Sequence, residues 1–299
     1  MTLKELEKAA EQGDAKAQYE LGRCYDAGDK VPKDNAIAAK WYAKAAEQGH
    51  TKAQYNLGYC YHYGEGVEQN YVEAVKWYTK AAKKGYTRAQ NNLGYCYYNG
   101  YGVVKDYYKA VQWFSKAAEQ GNVQSQYDLA LCYYNGYGVV KDYYKAVQWF
   151  SKAAKQGDVQ AQYDLALCYD AGDGVPQNYT IAAQWYAKAA EQGHTKAQNN
   201  LGCCYYNGYG VVKDYYKAMQ WFTKAAEQGH IQAQYNLCIC YTYGHGVEQN
   251  HIIAEEWFSK AAQQKIEHGN IEAQYQLDLY YYNDKGVPQT IQCFIVIKK

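Results

Sequence analysis

The sequence predicts an all-α protein, an α/α superhelical solenoid of 36-residue helix-turn-helix repeats, on three observations. The motif A/S-Q-[YN]-x-L restarts at Ala17, Ala53, Ala89, Ser125, Ala161, Ala197 and Ala233, each 36 residues after the last, and again at Ala273 after 40. Each period holds two segments with apolar residues at helical spacing, separated by glycine. All seven tryptophans (Trp41, Trp77, Trp113, Trp149, Trp185, Trp221, Trp257) fall in one column of the period, as do seven of the ten cysteines. Columns of this kind require each unit to complete its core against its neighbours, as stacked repeats do.

The first segment, to Lys16, reads as a second helix alone. Leu3, Leu6, Ala9 and Ala10 carry its apolar spacing, its tail KAAEQG matches the repeat, and Glu5 takes the tryptophan's place. A polar end unit suits a stack that must stop somewhere. The second repeat shows the unit clearly. Ala53, Leu57, Cys60 and Tyr61 stand at i, i+4, i+7 and i+8 of a first helix, and Gly58 lies where a neighbouring backbone can come close. Gly64-Glu65-Gly66-Val67 turns the chain, with glycine for the left-handed residue that ends a helix and Asn70 to cap the next. Tyr71, Ala74, Val75, Tyr78, Ala81 and Ala82 form the apolar stripe of the second helix, which Trp77 widens. Gly85 ends it, as Gly49, Gly121, Gly157, Gly193 and Gly229 do in other copies. The residue after that glycine is a good cap as Asp14, Asn122, Asp158 or Asn270, and a weaker one as His50, His194 or His230.

The copies differ at identifiable places. Lys30 replaces the loop's second glycine in the first repeat, so a distorted loop is expected there. Pro32, Pro176 and Pro288 share one loop position. Residues 97–118 are identical to 133–154, and 205–226 are nearly so, the mark of internal duplication. The seventh repeat ends KAAQQKIEHGN instead of KAAEQGN, and four extra residues, about one turn, lengthen its second helix. The eighth begins with Ala273, Tyr275 and Leu277 but has Asp278 where others have Gly, Ala or Cys, and its tail TIQCFIVIKK has no Trp and no KAA. The reading is therefore an N-terminal half-repeat (1–16), seven repeats (17–272), and an incomplete eighth with a tail (273–299). The β-branched run from Ile291 to Ile297 would favour aggregation if exposed.

On these residues the chain resembles the Sel-one-like repeat family, relatives of the tetratricopeptide repeat with a slightly longer unit. The pattern AQYxLGxxYxxGxGVxxDYxKAxxWFxKAAEQG covers nearly all of it, and its glycines, Trp-[YF] pair and KAA-x-x-G ending recur seven times. The resemblance implies a right-handed superhelix whose first helices line a concave surface, and a role as adaptor or scaffold, with no reaction and no cofactor. The sequence departs from secreted, cysteine-rich members: Ala53 and Ala82 stand where those carry cysteines.

Charge and motifs narrow the function classes. With 31 basic and 30 acidic residues and no block of five like charges, nucleic acid and anionic membrane surfaces are excluded as expected partners. Residues 1–18 form a charged helical pattern rather than a secretory signal, and no run of 18 apolar residues occurs, so an intracellular, cytoplasmic protein without a membrane span is expected. The cysteine column, Cys24, Cys60, Cys96, Cys132, Cys168, Cys204 and Cys240, has one member per unit. Units stacked about 10 Å apart keep these beyond the roughly 7 Å limit for a disulfide, so they read as small buried hydrophobes. Cys238-Ile-Cys240 with His245 and His251 matches no common zinc spacing. Cys203 is expected to point outward while Cys204 enters the core, which leaves a thiol or metal enzyme around Cys203, Cys238 and His245 as an alternative to a scaffold. A structural protein associating with itself through its tail is another. Catalytic motifs are absent, and the Gly-x-Gly-Val loops follow a helix rather than a strand.

A binding face follows from the same spacing. If Ala53, Leu57, Cys60 and Tyr61 face inward, then Tyr59, His62 and Tyr63 point away from the core. The equivalent places hold Tyr95 and Tyr98, Leu131 and Tyr134, Leu167 and Asp170, Cys203 and Tyr206, and Ile239 and Thr242. These vary between copies that otherwise barely differ. In the superhelix that the resemblance implies, this row lines the concave groove, where a protein or peptide would meet rigid, amphipathic tyrosines. Tyr107, Tyr143 and Tyr215 are expected to pack between units. Lys76, Lys80, Lys116 and Lys152 read as a solvated convex surface.

Overall fold

The computed structural model describes residues 2–267, and every regular element among them is an α-helix. After α1 (Leu3–Glu11) come seven pairs of first and second helices. They are α2 (Ala15–Ala27) with α3 (Asn35–Glu47), α4 (Thr51–Tyr63) with α5 (Tyr71–Lys83), and α6 (Thr87–Asn99) with α7 (Tyr107–Glu119). Next are α8 (Val123–Asn135), α9 (Tyr143–Lys155), α10 (Val159–Ala171) with α11 (Tyr179–Glu191), and α12 (Thr195–Asn207) with α13 (Tyr215–Glu227). Last are α14 (Ile231–Tyr243) and α15 (His251–Glu267). The paired helices have 13 residues each except α15, which has 17, the extra turn expected from the insertion in KAAQQKIEHGN. The eighth repeat, Pro288 and the tail lie outside the described residues. Backbone contacts group the chain into two units, Met1–Trp149 and Phe150–Lys299, and the same plan recurs within each.

Helix ends form where the sequence supplies caps. Asp34, Asn70, Asp106, Asn178 and Asp214 accept amide hydrogens of the first turn of a second helix, and the first helices end on left-handed glycines. Each loop is tied back by a backbone bond, as from Asn70 N to Tyr61 O at 2.8 Å and from Asp106 N to Tyr97 O at 2.9 Å. The histidine caps also work. Nδ1 of His50, His194 and His230 accepts from Ala53, Ala197 and Ala233 N at 3.2, 3.1 and 3.2 Å, which requires that nitrogen to be unprotonated.

Three expectations change. Lys30 does not distort its loop: it adopts φ 67°, the left-handed conformation of the glycines at its position in later repeats. In those repeats the glycine meets a second demand, because a Cβ on Gly102 would sit 2.2 Å from Tyr71 O of the preceding second helix. Gly58 makes room not mainly for a backbone but for a ring, since a Cβ there would lie 2.7 Å from Tyr78 Cδ1; Gly22, Gly94 and Gly202 do the same for Tyr42, Phe114 and Phe222. The tryptophan column is only half in the core. Trp77 is buried, the others are partly exposed, and the face is covered by lysine: Lys44 Nζ lies 4.0 Å from the Trp41 ring and Lys80 Nζ 3.8 Å from Trp77. Lys80 and Lys116, expected on a solvated face, are thus cation–π partners of Trp77 and Trp113, while Lys76 pairs with Glu73 at 3.1 Å.

The core of each repeat joins a second helix to the first helix that follows. Ala38, Ala39, Tyr42, Ala45 and Ala46 of α3 pack with Ala53, Leu57 and Cys60 of α4, and Trp77 closes the cluster. In the second unit Ala182, Ala183 and Tyr186 of α11 pack with Leu201 and Cys204 of α12, with Trp221 against them. A buried glutamine runs through this core. Nε2 of Gln18, Gln54, Gln90, Gln162 and Gln198 donates to Ala10, Ala46, Ala82, Ala154 and Ala190 O, at 3.0 to 3.2 Å. Its Oε1 accepts from a glutamine thirty residues on, as from Gln120 to Gln90 at 2.6 Å and from Gln192 to Gln162 at 2.8 Å. Where both bonds form, as at Gln90 and Gln162, the glutamine ties its first helix to the second helix before it and to the end of the second helix after it.

Candidate functional site

The first helices present two rows that the sequence merged into one. Residues at the place of His62 lie on the flank that meets the second helix of their own repeat. Asp170 is buried and accepts from the Tyr186 hydroxyl at 3.4 Å, and Asp26 accepts from Tyr42 at 3.0 Å. Burial raises the Asp170 carboxyl above its usual range, opposed by the Tyr186 bond, and burial likewise raises Tyr186. Tyr98 is half-buried, edge-on to Tyr107 at 5.1 Å and tilted to Phe114; Tyr134 stands edge-on to Tyr143 at 4.9 Å. Tyr206 is buried against Tyr215 and Phe222, and Thr242 is buried beside Cys238. His62 is half-buried among Tyr63, Tyr71 and Tyr101; its Nδ1 and the Tyr78 hydroxyl are buried without a hydrogen-bond partner.

The row through Tyr59 faces more directly outward, but its exposure varies. Tyr59 is exposed, Tyr95, Leu131 and Leu167 are half-buried, and Ile239 is 2 % exposed because it packs with Cys203 and Tyr206 of the preceding first helix. Burial, then the nearby Asp128 carboxylate, raises the Tyr95 hydroxyl. Of the thirteen residues in the predicted row, only Tyr59 and Tyr63 are exposed. Their rings lie 4.4 Å apart, and Tyr63 is 56 % exposed. The sequence reading missed the column one residue after each first helix begins, where Lys16, Lys52, Arg88 and Lys196 are exposed. Residues at i and i+7 share a helix face, so Lys52 and Tyr59 were legible as neighbours from the spacing used for the core.

The expected loop packing is present. Tyr107 stacks on Tyr137 at 5.1 Å and 18°, and His245 takes the tyrosine's role by stacking on Tyr215 at 4.4 Å and 5°. Its Nδ1 lies 2.8 Å from the Tyr206 hydroxyl, and burial lowers its basicity. The thiol expectation is corrected. Cys203 is buried under α14, with Asn236 Nδ2 at 3.8 Å from its sulfur, and burial pushes its thiol up to about 12. Burial pushes Cys238 up to about 11. Such thiols remain protonated near neutral pH and lack the thiolate that a nucleophile requires. The cysteine column is free and buried, as its spacing implied. Among the described residues, no helix is long and apolar enough to cross a membrane.

A Sel1 repeat model matches residues 6–14, 15–50, 51–86, 87–122, 123–158, 159–194, 195–230 and 231–265. Among solved structures, a protective antigen of uropathogenic Escherichia coli with an SLR fold is 44% identical, with a TM-score of 0.88, covering 96% of this chain and 60% of that one. The chain therefore spans about 60% of that relative's length. A Sel1 repeat protein from Oxalobacter formigenes is 35% identical, with a TM-score of 0.71, covering 92% of this chain and 78% of that one. No curated protein matches the chain in sequence. Helix pairs at a 36-residue period, clamped by glutamine and matched by the family model over nearly all described residues, establish that this chain belongs to the Sel1 repeat family.

Proposed function

We propose that the protein is a non-catalytic interaction scaffold that holds a protein or peptide partner on the outward face of its first helices, centred on α4. The observation that carries this is the exposed, mutually packed Tyr59 and Tyr63, the part of the predicted row left uncovered by the protein's own packing. Two rings already held against each other offer contact area at small entropic cost, as hot-spot aromatics do. Lys52 on α4 and Arg88 on α6 stand exposed in the charged column of this face. Membership of a family of repeat scaffolds supports the reading, as does the withdrawal of Cys203 and Cys238 into the core.

The test is site-specific crosslinking. A photoreactive phenylalanine analogue at Tyr63 should capture a discrete partner in the native cell, and purified partner should bind Tyr59→Ala/Tyr63→Ala at least about tenfold more weakly, the range of a hot-spot loss. Capture of equal strength from an analogue placed at exposed Tyr108 on α7, with affinity unchanged in the double variant, would move the site elsewhere.

A further inference from the structure

The outward face of α4 is charged at one end only. Neither α4 nor α6 contains an aspartate or glutamate, yet each has a cation at its second residue, Lys52 and Arg88, and Lys16 holds the same place on α2. All three are exposed, and among the described residues none of them takes part in an ion pair. The acids on and before α2 are already engaged. Asp14 accepts from Ala17 N at 2.7 Å, Glu20 pairs with Arg23 at 3.1 Å, and Asp26 accepts from the Tyr42 hydroxyl at 3.0 Å. On α8 the column turns to Gln124, which donates to Asp128 at 3.2 Å, so the run of uncompensated cations stops at α6.

These cations adjoin a run of rings. Tyr86, Tyr55, Tyr59 and Tyr63 follow one another along α4 with centroids 5.2, 6.5 and 4.4 Å apart. Burial raises the Tyr55 hydroxyl, and the Arg88 guanidinium on α6 opposes that rise. Lys52 stands seven residues before Tyr59 on the same side of the helix, about 10 Å along its axis. At the other end the sign changes: burial, and then the Glu65 carboxylate in the loop past α4, raise the Tyr59 hydroxyl. The face is therefore positive where α4 begins and aromatic, with a carboxylate beside it, where α4 ends. A neutral or basic surface laid over it would strip water from Lys52 and Arg88 and return no compensating charge. A surface bearing carboxylates removes that cost.

We propose that the occupant of this face is an acidic segment of a partner protein, with its carboxylates over Lys52 and Arg88 and its apolar side chains on Tyr59 and Tyr63. This rests on the outward face of α4 being the binding face and adds the partner's chemistry to it. About 10 Å is the length of roughly three residues of extended chain, so the acidic and apolar parts are neighbours in one short segment.

Three fluorescein-labelled peptides test this, each a Phe-Leu block joined to a block of glutamates, glutamines or lysines. Fluorescence anisotropy is read with wild type, Lys52→Glu/Arg88→Glu and Tyr59→Ala/Tyr63→Ala. Wild type should bind the glutamate peptide about tenfold more tightly than the other two, the range that two exposed ion pairs supply, and the preference should shrink as salt rises. Lys52→Glu/Arg88→Glu should reverse the order and favour the lysine peptide, a gain that a misfolded chain could not show. Tyr59→Ala/Tyr63→Ala should weaken the glutamate and glutamine peptides alike and keep the ratio between them. Equal binding of those two peptides by wild type, lost in the tyrosine variant, would overturn the acidic partner and leave the binding face standing. A glutamate preference that the tyrosine variant does not weaken would overturn both, because the segment would then lie elsewhere. A preference that survives charge reversal, or no binding of any peptide, would overturn the proposal.

Discussion

At the scale of single residues, the buried glutamine column shows how one substitution leaves a measurable defect. In the second repeat Lys84 occupies the place of Gln48, Gln120, Gln192 and Gln228, so Gln54 Oε1 is buried with no donor. Lys84 instead reaches Gly49 O at 2.6 Å, an exposed bond worth less than a satisfied buried oxygen. Lys84→Gln is expected to stabilise the protein by about 1 kcal/mol, read as a higher urea midpoint at unchanged slope. The histidine caps give a second residue-scale prediction. Burial lowers the pKa of His50, His194 and His230 below 6.5, and capping uses the neutral ring. Their folded values lie below their unfolded ones, so the unfolded chain binds more protons in that interval. The stability they contribute is therefore present above pH 6.5 and is lost as pH falls through the folded values. Replacing all three with Asp, the cap used at Asp14 and Asp158, should raise stability at pH 5 by about 1 kcal/mol per cap, read as a higher thermal midpoint, and flatten the dependence between pH 5 and 7. An unchanged pH profile would show that these rings are not what titrates.

At the scale of elements, the loops after the first helices separate two demands that glycine meets together. Lys30 meets only the dihedral demand, whereas Gly102 meets that and the close approach of Tyr71 O. Lys30→Gly should therefore stabilise by about 1 kcal/mol, the usual cost of a non-glycine residue in the left-handed region. Gly102→Ala should destabilise by several times that, because α5 must shift away from the loop; equal and small effects in the two chemical denaturation curves would refute the distinction. The elements were legible to different degrees. Helix existence, order and ends followed from spacing and glycine because they depend on local chemistry. The row of His62, Tyr98 and Asp170 was misread because a helix of this fold touches three neighbours, so a residue that clears one core can enter another contact. A signal was present in the chain: tyrosine at the place of Tyr42 and Tyr186 goes with Asp26 and Asp170, whereas Phe114 and Phe222 go with Tyr98 and Tyr206. The hydroxyl needs a polar partner and the phenyl ring does not. Cys203 was misjudged for the same reason, since α14 covers it.

At the scale of the whole molecule, successive repeats within each of the two units are joined by the same few contacts, so stability there should behave as a sum of repeats and junctions. Deleting Thr87–Asn122 removes α6 and α7 and brings Tyr86 against Val123 in register, with Gln126 placed to meet Ala82 O as Gln90 now does. The shortened chain should keep the same helical ellipticity per residue and unfold cooperatively. Deleting Thr87–Lys105 instead removes a first helix and its loop without its partner, and should leave α7 with no glutamine clamp in front of it and a lower, broader transition. A 36-residue deletion that unfolds the chain would mean that the junctions are not equivalent. Architecture was readable from sequence at this scale because periodicity reports stacking directly. The binding face was less so, because exposure depends on how neighbouring helices cover one another, and Tyr59 differs from Ile239 in its surroundings more than in its spacing.

The lysine-capped indoles also make the protein its own spectroscopic ruler. Each repeat carries one tryptophan at a fixed place, partly open to solvent except at Trp77, with an ammonium held within about 4 Å of the ring in Trp41, Trp77, Trp185 and Trp221. A charge that close alters emission colour and intensity, and it departs as soon as its own helix frays. Chains keeping a single tryptophan, with phenylalanine at the others, would thus convert local opening into a position-resolved optical signal along the array.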